Sequence, residues 1–350
     1  MTATPPTPLR APSPALSDEM SPDFSVLKQL KHQVVIGSAV DPADGAQNPY
    51  GLTVATVTAG KFTAGDLVIC NFNGKSNVQG TGRSIVALHP VKGATPTHVS
   101  SNETLVGCDA LALAPDDTIW ASAMVADDNP VLDSNGKLIQ NISGKPFRQP
   151  WGQVFAQPKA GPAAFYETNA GDGSVVRINL SSRFTYDVIA TGFPVNHGKP
   201  GTALAPSGLA YDANSDTLYF ADGDNNTVVA FKNVSTIPAG GIKAKDHGMK
   251  FEGVSARDAR VVVAGAPLNG PISTALLPNG NLVVGNTLDP AGKNLILEIS
   301  TKADKVIEAR NVDKGAAGAI FGMAATGSSP ADTKIYFNDD NTNQVEVLER

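Results

Sequence analysis

Residues 206–234 read PSGLAYDANSDTLYFADGDNNTVVAFKNV, and the fold is decided by how this stretch is parsed. Three short β-forming runs, 208–212, 217–221 and 227–233, are separated by two polar turns. Asn214-Ser215-Asp216 makes the first turn and residues 222–226, DGDNN, make the second. Gly, Asn and Asp supply the positive φ values and local side-chain hydrogen bonds that tight turns require. A compact strand–turn–strand–turn–strand unit cannot bury its faces alone, so it calls for copies of itself.

The copies are present on both sides. Toward the N-terminus lie PWGQVFAQPKAGPAAFYETNAGDGSVVRINL (150–180), followed by a strand at 184–190, and a less regular unit, GCDALALAPDDTIWASAM (107–124), with a later strand at 136–142. Before these come NPYGLTVATVTAG (48–60), GDLVICNFNG (65–74) and RSIVALHP (83–90). Toward the C-terminus a polar insertion at 237–257 precedes a strand at 259–265. A fifth unit follows, NGPISTALLPNGNLVVGNTLD (269–289) with strands at 294–300 and 305–312, and a sixth runs from 317 to the end. Unit starts fall roughly 40 to 65 residues apart, the spacing of propeller blades.

The units LYFADGDNNTVVAF (218–231) and IYFNDDNTNQVEVL (335–348) resemble NHL-type repeats, and Pro206-Ser207-Gly208-Leu209-Ala210 resembles the start of that family's inner strand. The resemblance covers roughly residues 48–349. It implies an all-β, six-bladed β-propeller. It departs from the pattern in the second unit, in the turn at 73–83 and in the insertion at 237–257. Similar six-bladed propellers include binding modules, sugar-lactone hydrolases that use Ca²⁺, and amidating lyases, so the fold alone does not select a function.

Counting strands predicts how the ring closes. The sixth unit supplies three strands and then the chain ends. The segment FSVLKQLKHQVVIGS (24–38) opens in a helix-compatible way but ends in the β-like run Gln33-Val34-Val35-Ile36, and it is the remaining candidate for the outer strand of that last blade. Pairing the two chain ends would remove open edges and make residues 23–350 one domain. Residues 1–22, rich in Pro, Thr, Ala and Ser, read as a disordered tail.

Composition narrows the partners. Charged residues make up 17% of the 350-residue chain, with 34 Gly and 25 Pro, which favours many short strands over long helices. A net charge of -6 leaves no basic footprint for nucleic acid, and no apolar run reaches membrane-span length. Low charge with abundant Asn, Thr and Gly resembles an exported bacterial protein. A periplasmic or secreted location is expected if a signal peptide was trimmed, and a cytoplasmic one otherwise.

Propeller geometry gathers the loops entering the inner strands at one face, around the channel mouth, the default place for a ligand. Glu167, Asn169, Asn286 and Asn338 are candidate ligands for a Ca²⁺ ion, because carboxylate and amide oxygens suit a hard cation. The same side chains are also what turns use to cap themselves. The lactonase resemblance implies an acidic residue entering the first inner strand, where Asn48-Pro49-Tyr50 has none. His197, in the loop entering the fourth inner strand, and Glu167 are the acid–base candidates. Tyr50, Arg148, Trp151 and Asp222 are candidates for contact with a protein, peptide, glycan or small molecule at the mouth. A metal-dependent hydrolase or lyase acting on a lactone, ester or similar small molecule is the alternative to a binding propeller. The two cysteines, Cys70 and Cys108, fall on one face of neighbouring units, either as a disulfide or as buried thiols.

Overall fold

The computed structural model describes residues 18–350 apart from 182 and 289–292; most of the segment read as a tail, 1–17, lies outside the described residues. Among the described residues the strands form six antiparallel sheets, the blades of a propeller, with one parallel pairing where an insertion joins blade 3. The inner strands are Gln47–Val54, Cys108–Leu113, Pro150–Ala156, Pro206–Asp212, Pro271–Leu276 and Ile320–Thr326. The second strands are Leu67–Asn73, Ile119–Ala123, Ala164–Asn169, Thr217–Asp222, Leu282–Asn286 and Lys334–Asp339.

The chain ends close the ring as the strand count predicts. His32–Ser38 pairs antiparallel with Gln344–Glu349 and forms the outer strand of blade 6. Only Leu27–Gln29 of the helix-compatible start turns, as a single 3-10 turn. Two departures from the sequence reading stand out. Blade 2 has a third strand, Asp128–Leu132, hidden in the sequence by Pro130. The insertion is not loop alone: Ile242–Lys245 and Lys250–Glu252 extend blade 3 to six strands.

Blades meet through six hydrophobic clusters, one per seam. Trp120 of blade 2 stacks on Phe165 of blade 3 with ring centroids 4.2 Å apart, and Phe220 of blade 4 packs beside Tyr166 of blade 3. Near the axis the inner strands approach too closely for side chains. A Cβ on Gly152 would overlap the Ser207 carbonyl oxygen, and one on Gly322 would overlap that of Tyr50. The Pro-X-Gly signature of blades 1, 3 and 4 is thus a packing requirement at the centre of the ring. Cys70 and Cys108 are bonded across the seam of blades 1 and 2, with Cα atoms 5.5 Å apart, inside the range a disulfide spans.

Candidate functional site

Strand register builds the mouth as two stacked rings, one residue from each blade. The lower ring comes from the inner strands: Tyr50, Asp109, Trp151, Ser207, Ile272 and Phe321, each just before the close-approach position. The upper ring comes from the end of each second strand, within it in blade 1 and directly after it in the other five: Phe72, Met124, Ala170, Gly223, Thr287 and Asp340. Five of its backbone N–H groups donate to the loop entering the same blade, for example Ala170 N to Gln149 O at 2.9 Å and Asp340 N to Ala319 O at 2.9 Å. The site is therefore set by the same hydrogen bonds that end each hairpin.

Together these rings wall a recess of about 460 Å³ above a narrow channel of about 70 Å³. Tyr50, Trp151, Ile272 and Phe321 line both, so they form the neck between them. Tyr50 is sandwiched between Phe72 and Phe321, at centroid distances of 4.1 and 3.8 Å. One side of the recess is closed by the loop 192–205. Asn196 folds that loop on itself, accepting from Gly198 N and Leu204 N and donating to Thr202 O at 2.8 Å. Its tip at Gly201 comes close to the Gln79 side chain of blade 1, across the mouth, and Gln79 itself lies 3.4 Å from the Tyr50 hydroxyl.

Carboxyl groups are the chemistry of this end of the molecule. Burial, then the neighbouring Asp339, pushes Asp340 up to about 6. Burial also holds Asp109 well above the usual carboxylate range. The nearby backbone N–H groups of Asp109, Ala110 and Met124 pull it back in part, but none reaches its oxygens in hydrogen-bond geometry. Glu167, fully buried between blades 2 and 3, is raised by burial to about 8, against the lowering effect of Gln153 Nε2 at 2.9 Å and Asn129 Nδ2 at 3.4 Å. Tyr50 is raised well above 10.0 by burial and then by the charges of Asp340 and Asp109.

Of the residues singled out from sequence, Tyr50 and Trp151 meet in the recess. Arg148 and His197 are exposed and line a separate groove of about 490 Å³ with Asp127 and Pro200. Glu167 is not a wall of that groove, so the two acid–base candidates do not share it. Asp222 is fully buried at the head of its own turn, accepting weakly from Asn225 N at 3.4 Å, and burial raises it to about 7.

The four residues read as Ca²⁺ ligands point at four different sets of partners. Asn169 accepts from Arg148 N and donates to Pro146 O and Ser174 Oγ. Asn286 repeats the device in blade 5, accepting from Asn269 N and donating to Pro267 O at 2.8 Å. Asn338 is one residue out of register with them. Asp339 holds the equivalent position, and Asn338 instead donates to Tyr50 O and Gly51 O of blade 1. Among the described residues no group of three or more His, Cys, Asp or Glu side chains is placed to hold a metal ion. The two equivalent asparagines cap entry loops. Sequence reading missed Asp340, Phe72, Phe321 and Gln79. Aligning the blades by their close-approach residue would have placed the first three.

No protein-family model matches this sequence, and no curated protein matches it. Solved structures match in fold. A chain of a nidogen/laminin complex superposes with a TM-score of 0.57 at 16% identity, covering 81% of this chain and 87% of that one. A catalytically inactive virginiamycin B lyase from Staphylococcus aureus, solved with quinupristin, gives 0.51 at 14% identity, with 91% and 98% covered. A gluconolactonase from Xanthomonas campestris gives 0.59 at 12%, with 89% and 88% covered. These likenesses establish the six-bladed propeller, a fold shared by binding proteins and enzymes.

Proposed function

We propose that this propeller binds a small organic molecule in the recess over its channel mouth. The observation that carries the reading is the recess itself, about 460 Å³ and walled by Tyr50, Phe72, Trp151, Ile272 and Phe321, with Gln79, Asn196, Thr202, Thr287 and Asp340 among its polar groups. That volume and that mixture, mostly apolar with a few fixed polar groups, are what small-molecule sites share. A concave, partly roofed pocket suits a compact ligand better than a flat protein surface. The hydrolase alternative draws on fold likeness, and the amide oxygens of two of the three asparagines it would use, Asn169 and Asn286, are engaged with backbone. The bridged cysteines support an oxidising compartment. Among the described residues no helix is long and apolar enough to cross a membrane.

A ligand that binds only the folded state raises the melting temperature by mass action. A thermal-shift screen of small organic compounds on the wild-type protein and on Ala203→Trp, which fills the recess from its covering loop, tests the site. Compounds that stabilise the wild type and not Ala203→Trp support it. Compounds that stabilise both equally place binding elsewhere and refute it.

A further inference from the structure

Resting on the reading of the recess as a small-molecule site, we infer that its ligand carries a positively charged amine or quaternary ammonium group seated beside Asp340. The first ground is the register of the upper ring. Where five blades place Phe72, Met124, Ala170, Gly223 and Thr287, blade 6 places a carboxylate. Every other blade closes its hairpin with an uncharged residue, so the turn does not need an acid there.

The second ground is the absence of a protein counterion. Among the described residues no Lys, Arg or His lines the recess and no cationic side chain pairs with Asp340. Asn48 is the neighbour that serves it. With its amide turned to suit its surroundings, Asn48 donates to the Asp340 carboxylate and accepts from Asn73 Nδ2 at 2.7 Å. Asp339, next in the chain, adds a second carboxyl group to the same end of the channel. A half-buried carboxylate with no cation of its own is stabilised by one that arrives with a ligand.

The third ground is the rest of the wall. Phe321 and Trp151 line the recess with Asp340, Tyr50 adds an edge with both its faces covered by Phe72 and Phe321, and aromatic carbon beside a carboxylate favours an organic cation. An inorganic cation would want several oxygen ligands, whereas this space offers mostly carbon.

The test compares benzyltrimethylammonium with benzyldimethylcarbinol, a neutral alcohol of the same shape, by isothermal titration at about pH 8, where Asp340 is ionised. Proteins are the wild type, Asp340→Asn, and Asp340→Thr, the residue type blade 5 carries at this place. The cation is expected to bind wild type about tenfold more tightly than the alcohol. That preference should vanish in either folded variant. Equal binding of the two probes to wild type, or a preference that survives in both variants, overturns the charge inference and leaves the recess a ligand site. Failure of both probes to bind wild type overturns the inference and the ligand-site reading together.

Discussion

Two glutamates of this propeller are completely shielded from solvent, and they are treated in opposite ways. Glu298, on the third strand of blade 5, accepts from Ser25 Oγ, Leu27 N and Asn281 Nδ2 at 2.7 Å each and from Val26 N at 3.1 Å. Glu167, on the second strand of blade 3, has two amide donors, one of them at 3.4 Å. A buried carboxylate is expensive unless its lone pairs are filled. Glu298 is saturated because it is a clamp. It holds residues 25–27 so that Val26, Leu27 and Leu30 pack with Ile296, Ile320 and Phe337, just ahead of the strand that closes the ring. Glu167, between blades 2 and 3, is left short, and burial raises it to about 8, so that it is protonated at neutral pH. Full satisfaction marks the structural end of the chain, and under-satisfied acids mark the end where the recess lies.

The largest expected effect tests the clamp side. Deleting residues 1–21 should leave stability nearly unchanged, whereas deleting residues 1–38 removes both the clamped turn and the closing strand and should leave an aggregating chain without a cooperative melt. A soluble, cooperative protein lacking residues 1–38 would undo the assignment of closure. Next in size, Glu298→Ala strands four donors in the core and should cost about 4 kcal/mol in chemical denaturation. A loss below about 1 kcal/mol would mean that the turn is held by packing alone.

The seam between blades 1 and 2 adds a covalent contrast. Reducing the bridge of Cys70 and Cys108, which are 38 residues apart, should lower stability by about 3 kcal/mol. Thiol titration under denaturing, non-reducing conditions should find no free thiol in protein made in an oxidising compartment.

The smallest effect probes Glu167. Its pKa is raised from 4.5 to about 8 on folding, so its contribution to stability is full below about 4.5 and is lost as pH rises through 8. Asp222, at about 7, and Asp340, at about 6, act with the same sign. Wild type should therefore melt higher near pH 5 than near pH 9, and Glu167→Gln should regain roughly 2 kcal/mol at the alkaline end. A variant whose pH profile overlies that of wild type would show that Glu167 ionises freely in the fold.

The blades were legible in the sequence because each repeats the same local physics, turn residues after a second strand and a small residue where inner strands touch. Closure was legible by elimination, since one β-like segment was left for one empty edge. The strand at Asp128–Leu132 was not, because Pro130 hides it, and the strands within 237–257 were too short to stand out from a polar insertion. Tyr50 and Trp151 could be read as mouth residues from their place in the inner strands. Asp340 could not be read locally, without first aligning the blades by their close-approach residue, because Asn338-Asp339-Asp340 offers three similar residues and a one-residue slip moves each to a different face. Nor does local sequence reveal that the loop 192–205 reaches blade 1, since that contact is made only when the ring is closed.

The central claim, that the recess is a ligand site, is most directly tested by soaking crystals of the protein with a small library of organic amines and alcohols. Ordered density is expected between Tyr50, Trp151, Phe321 and Asp340, with amines placing nitrogen toward the Asp340 carboxylate. Compounds that bind only elsewhere on the surface, with the recess empty in every data set, would contradict it.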